Sequence, residues 1–183
     1  MKKVRLIIVA LALAVALSGA SGCEKSTPAE PTADDTVTPA PAESGFNLIL
    51  KYGITARNEI DTYLDKFTKD MIADPPITID LCLTEEEMDR IYQKMVEIDF
   101  FNYPEAFRVE VPPGENTIIR TPYSSYYFTV EYDSQIKKLR WADEIMNPDV
   151  KADKLRDLIE LIRDIMESKE EYKELPEPTS AYQ

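Results

Sequence analysis

The chain has no histidine in its 183 residues. That removes the commonest general base and the commonest zinc and copper ligand. It is also short of positive charge, with 21 Lys and Arg against 34 Asp and Glu, a formal net charge of −13. Phosphate contacts need Lys and Arg, so nucleic acid is a poor partner for it. Anionic lipid headgroups should repel it as well. Long apolar runs are missing too. The most apolar stretch, Leu6 to Leu17, is twelve residues, about 18 Å as a helix against a hydrocarbon core of roughly 30 Å. Cysteine appears only twice, at Cys23 and Cys82.

What is present at the start has a recognisable order. Lys2, Lys3 and Arg5 precede the apolar run, and Ser18-Gly19-Ala20-Ser21-Gly22 follow it. A charged head, a short apolar stretch and small residues make the layout of a secretory signal peptide. Ala20-Ser21-Gly22-Cys23 then resembles the lipobox of prokaryotic lipoproteins, with Ala20 where leucine is commoner. That resemblance implies diacylglyceryl attachment at Cys23 and cleavage before it. Two acyl chains are what stable membrane anchoring requires. Loss of residues 1–22 takes away three positive charges and no negative ones, so the net charge moves from −13 to −16. With Cys23 acylated, Cys82 has no partner for an intrachain disulfide. It lies in an alternating apolar stretch and reads as a small buried hydrophobe.

Residues 24–44, "EKSTPAEPTADDTVTPAPAES", hold one large aliphatic residue, Val37. Such a segment cannot bury enough apolar surface to offset its ordering entropy. It reads as a proline-stiffened tether. The expected organisation is a signal peptide over 1–22, the lipidated Cys23 and tether over 23–45, one domain over 46–176, and a tail over 177–183. The domain is long enough for a core of its own.

Within the domain, Phe46, Leu48, Leu50 and Tyr52 alternate with Asn47, Ile49 and Lys51, a strand period. Residues 54–61 read as a turn around Arg57-Asn58. "TYLDKFTKDM" reads as the returning strand, and Asp74-Pro75-Pro76 breaks the chain. "ITIDLCL" alternates again. Thr84 and Glu87 match a capping box, and Met88, Ile91, Tyr92, Met95 and Ile98 follow at helical spacing. An irregular piece surrounds Pro112-Pro113-Gly114. "SYYFTVEYD" and "IKKLRW" form a second hairpin turning at Asp133-Ser134. A last helix runs from about Lys151 to Tyr172. Hairpins pair antiparallel, so the expected fold is α+β: a sheet of about four to five antiparallel strands from two hairpins, with two helices on one face.

The stretches "LKYGITARNEIDT", "FTKDMI", "TPYSSYYF" and "SKEEYKELPEP" resemble those of a group of uncharacterised bacterial lipoproteins. The resemblance implies a membrane anchor and brings no activity with it.

Two places carry recognition chemistry. Arg57 and Asn58 put charge and an amide on a turn, where a left-handed Asn and local ion pairs are the structural alternative. Tyr123 and Tyr127, with Trp141 on the next strand, supply the ring types that anchor protein interfaces. Alternation places Tyr126, Phe128, Val130 and Tyr132 on one face and Tyr127 on the other. Ser124 and Ser125 lack a histidine base, which leaves only Lys137 or Lys138 to activate them. Glu85-Glu86-Glu87 favours a helix N-terminus, and no segment has the ligand spacing of a calcium loop. The expected function is therefore a non-enzymatic, membrane-anchored binding domain facing outside the cytoplasm. Its expected partners are the lipid bilayer, through Cys23, and an envelope protein, with no cofactor, metal or nucleic acid. Inhibition of an extracellular enzyme and carboxylate-dependent hydrolysis are the alternatives.

Overall fold

Strand β1 (Asn47–Gly53) sits at the centre of the sheet, with an alternating burial pattern. Leu48 and Leu50 are fully buried, while Lys51 between them and Tyr52 is exposed. The structure, a computed structural model, describes residues 45–182. The expected signal peptide, Cys23 and the tether up to Ser44 lie outside those residues.

On one side β1 pairs antiparallel with β2 (Asn58–Asp61), which continues as a meander through β3 (Lys66–Lys69) and β4 (Ile77–Asp80). On the other side it pairs antiparallel with β6 (Ser125–Tyr132), which turns into β7 (Gln135–Ala142). A two-residue strand, β5 (Ala106–Phe107), joins β7 in parallel. The order is β4-β3-β2-β1-β6-β7-β5.

The fold is α+β, but the expected four to five antiparallel strands must be corrected. Among the described residues the sheet has seven strands and is mixed. The two strands beyond five are β2 and the two-residue β5. Residues 58–61, expected in a turn, form β2 around a single inward side chain, Ile60, too little for a visible period. Residues 62–65, expected in a strand, form the turn instead. The Asp61 carboxylate accepts the N–H groups of Tyr63 and Leu64 at 2.9 and 3.2 Å, and Asp65 takes φ 51°. An Asx-type turn of this kind satisfies backbone donors locally. The Thr62 hydroxyl accepts the Leu48 N–H at 2.8 Å. Gly53 ends β1 at φ 108°, where a Cβ would meet the Asn58 amide at 3.0 Å.

The β6–β7 turn falls at Asp133 and Ser134, both at positive φ (46° and 60°). That is the two-residue geometry matching the twist of a hairpin. Helix α1 (Glu85–Glu97) starts at a reciprocal cap. Glu87 N–H donates to Thr84 Oγ1 at 3.2 Å, and Thr84 N–H donates to Glu87 Oε2 at 2.8 Å. After Asp99, at φ 61°, a 3₁₀ turn (Phe100–Asn102) drops Phe100 into the core against Phe128, ring centroids 5.2 Å apart. Helix α2 (Val150–Glu167) is capped by Asp149, which accepts the Ala152 N–H at 2.8 Å. One turn, α3 (Glu170–Lys173), follows a break at Ser168 and Lys169.

Leu155, Leu158, Ile159, Ile162, Ile165 and Met166 of α2 join Ile91 and Met95 of α1 and the inward strand residues in one apolar cluster. Burial of each such side chain contributes about 1.5–3 kcal/mol. The opposite face of the sheet carries mostly polar and charged residues, with Ile49 and the exposed Ile136 among them, as antiparallel sheets allow.

Candidate functional site

Two buried carboxylates organise the polar interior, and neither was singled out in the sequence. Asp143 follows β7 on the inward side, its side chain 3% exposed. Arg156 of α2 grips it twice, Nη2 to Oδ1 at 2.6 Å and Nε to Oδ2 at 3.2 Å. Arg120 adds Nη2 to Oδ2 at 2.6 Å. Two-point guanidinium contacts of this kind are strong and directional. The hydrogen bonds to Asp143 hold the Arg156 guanidinium above its ordinary pKa. The same assembly pins residues 116–120, after the irregular piece around Pro112-Pro113-Gly114. Arg120 N–H donates to Glu144 O and Met146 N–H to Ile118 O, each at 2.8 Å, and Asn147 bonds Ile118 N–H and Asn116 O.

Asp70 is the second, after β3. Its carboxylate accepts from Ile72 N–H at 2.9 Å, Thr55 Oγ1 at 3.0 Å and the Tyr182 hydroxyl. Arg57 lies 4.0 Å away. Burial raises the Asp70 pKa, but the Tyr182, Ile72 and Thr55 hydrogen bonds and the Arg57 charge outweigh it, leaving a net lowering.

The residues expected to recognise a partner fall into different places. Asn58 is an internal tie: its Oδ1 accepts the Asp70 N–H at 3.0 Å, and its Nδ2 donates to Tyr52 O at 3.3 Å. Arg57 keeps a 59% exposed side chain beside Asp70. Tyr123 is 36% exposed just before β6. Tyr52 pairs with Asn58 on one side and Tyr126 on the other, so Arg57 and Tyr123 stand at the same end of the sheet. Trp141 is not on the surface at all. It is 3% exposed, with Tyr126 at 5.4 Å, Phe107 at 5.8 Å and the Arg156 guanidinium 5.4 Å from its ring centre. Alternation with Leu139 turns it inward, to the face the helices cover. Its cation–π contact joins it to the Asp143 assembly.

Tyr127 is different. It is 49% exposed on the open face. Lys51 is its partner on β1 and Arg140 its partner on β7, so the three form one cross-strand row. Lys138 lies two residues before Arg140 on the same face, also exposed. Lys51 pairs with Glu59 at 3.3 Å. In so acidic a chain, this strip of cations around a tyrosine is the distinctive surface. Sequence alternation put Tyr127 there but did not reveal its neighbours, because register across strands is a tertiary property.

Serine activation finds no geometry. Ser125 pairs with Ala142, whereas Lys138 pairs with Thr129 and Lys137 donates to Tyr103 O. Among the described residues no group of three His, Cys, Asp or Glu side chains is placed to hold a metal ion. A depression of about 300 Å³ lies between the end of α1 and the start of α2, lined by Ile98, Asp99, Tyr103, Val150, Lys151 and Lys154 among others. No helix among the described residues is long and apolar enough to cross a membrane.

Cys82 departs from the expected buried lone thiol. It is half-buried and disulfide-bonded. Leu81 takes the inward position at the end of β4, which turns the neighbouring Cys82 outward.

No known protein family, no curated protein and no solved structure matches this chain.

Proposed function

We propose that this chain is a lipid-anchored binding domain held outside the cytoplasm. In this reading Cys23 carries the acyl chains, residues 24–44 hold the domain off the bilayer, and the domain presents its open sheet face to an envelope protein without performing chemistry. The sequence "ASGC" after a twelve-residue apolar run supports the anchor. The observation that carries the binding reading is the Lys51–Tyr127–Arg140 row on the uncovered face. Arginine and tyrosine are the residue types that dominate interface energetics. The two buried carboxylates are each engaged by internal partners, which argues against the hydrolytic alternative.

Cys23 and Cys82 are the only cysteines of the chain. A thioether at Cys23 and an intrachain disulfide at Cys82 are therefore alternative uses of one sulfur. Metabolic labelling with a fatty-acid analogue, read beside a thiol assay, separates them. Label that disappears in Cys23→Ser, with Cys82 titrating as a thiol in the wild type, supports the anchor. An unlabelled wild type with no titratable thiol overturns it. Crosslinking in cells then tests the face. Partners captured by the wild type should be lost in Tyr127→Ala and in Arg140→Ala; capture that both variants leave unchanged removes the binding assignment.

A further inference from the structure

We propose that the C-terminal segment, residues 177–182, is a displaceable strap that fills in cis a groove suited to an extended peptide. The proposal does not depend on the anchor or on the open sheet face.

Leu175, whose N–H donates to Tyr172 O at 3.1 Å, ends the backbone bonding that extends α3. Beyond it, among the described residues, every bond from the segment to the domain comes from a side chain. Glu177 reaches Lys69 Nζ at 3.2 Å. The Thr179 hydroxyl donates to Asp74 at 2.9 Å. The Tyr182 hydroxyl donates to Asp70 and lies 2.8 Å from Thr55 Oγ1. Acid, hydroxyl and phenol at positions 177, 179 and 182 are thus each read by a separate group. Those groups come from β3, from the loop after it and from the β1–β2 turn, three segments the fold has already brought together.

The floor of this groove is built without the strap. Asp70 is held by Ile72 N–H, Thr55 and Arg57, and its own N–H by Asn58. The Lys69 side chain, 8% exposed, has its ammonium 5.3 Å from the centre of the Tyr172 ring. The strap, by contrast, is open to water, with the Glu177 side chain 87% exposed. A site bonded within the domain and covered by a segment held only through side chains is a competition between a cis occupant and any trans occupant of the same chemistry. The tether to α3 gives the cis segment an effective concentration on the order of millimolar. A free peptide therefore competes poorly until the strap is removed.

The test compares the full chain with one ending at Pro176 by hydrogen exchange. In the shortened chain, amides of residues 54–58 and 70–74 should exchange at least roughly tenfold faster, while those of β1, β6 and β7 keep their protection. A synthetic peptide of residues 176–182 at millimolar concentration should restore the lost protection. The same peptide lacking the Thr179 and Tyr182 hydroxyls should not. The full-length Thr179→Ala, Tyr182→Phe variant removes those contacts without shortening the chain and should show the same local acceleration. Unchanged protection in both altered chains would refute the strap. So would loss of protection throughout the sheet in both, since the segment would then be part of the core. Failure of the peptide to restore protection would remove the peptide groove.

Discussion

Asp143 is the residue whose burial most constrains its neighbours. A carboxylate 3% exposed, with three guanidinium hydrogen bonds of 2.6–3.2 Å, is expensive to disturb. Removing one member of a buried pair typically costs about 3–5 kcal/mol. Arg120 and Arg156 are 44% and 29% exposed, so they recover part of this by hydration. Asp143→Ala is therefore expected to destabilise the fold by roughly 2–4 kcal/mol. Urea denaturation followed by the fluorescence of the single tryptophan, Trp141, reads the effect directly, because Arg156 lies over its ring. A change below about 1 kcal/mol would show that the assembly is no stronger than a surface ion pair. Asn58 teaches the complementary lesson. A polar residue on a turn suggests recognition, yet both ends of this amide close hydrogen bonds inside the fold.

At the scale of elements, α1 shows local and tertiary bonding sharing one side chain. Glu87 closes the capping box with Thr84 and also accepts from Lys169, which lies between α2 and α3, at 2.5 Å. Burial raises its pKa, but the bonds to Lys169 and the Thr84 N–H, with the Lys169 charge, lower it further than burial raises it. A folded-state pKa below the unfolded value of about 4.3 stabilises the fold above that pH and is lost as pH falls through the folded value. Asp70, also lowered, acts in the same direction. The urea midpoint should accordingly fall as the solution is acidified from about pH 5 to pH 3. Lys169→Met should flatten that fall and cost roughly 1 kcal/mol at neutral pH. An acid profile identical to the wild type would remove Glu87 from this role. The strands β2 and β5 mark the lower limit of what a pattern reveals. With one inward apolar residue in β2 and two residues in all of β5, their strand state comes from neighbours and not from their own composition.

Among the described residues one apolar cluster includes both wings of the sheet and both long helices. Its members Ile60 and Phe67 belong to the β2–β4 wing, and Phe128 and Leu139 to the other. A shared core of this kind should unfold cooperatively. Trp141 fluorescence, which reports on β7, and far-UV circular dichroism, which reports on the helices, are expected to give coincident urea transitions. Two separated transitions would mean that the wings hold independently. The charge of −13 acts at this scale as well. It favours solubility and standoff from anionic surfaces, and it makes the Lys51–Tyr127–Arg140 row stand out.

The sequence by itself determined what depends on near neighbours along the chain. The Thr84–Glu87 cap, the Asp133–Ser134 turn, and the inward faces of β1, β6 and α2 are all local patterns. Tertiary structure decided what depends on distant pairing. It made residues 58–61 a strand, turned Trp141 under the helices, placed Tyr127 between two cations, and brought Glu177, Thr179 and Tyr182 to Lys69, Asp74 and Asp70. Propensity and periodicity act over a few residues, whereas register, burial of charge and the seating of a terminal segment are settled only when segments far apart in sequence meet.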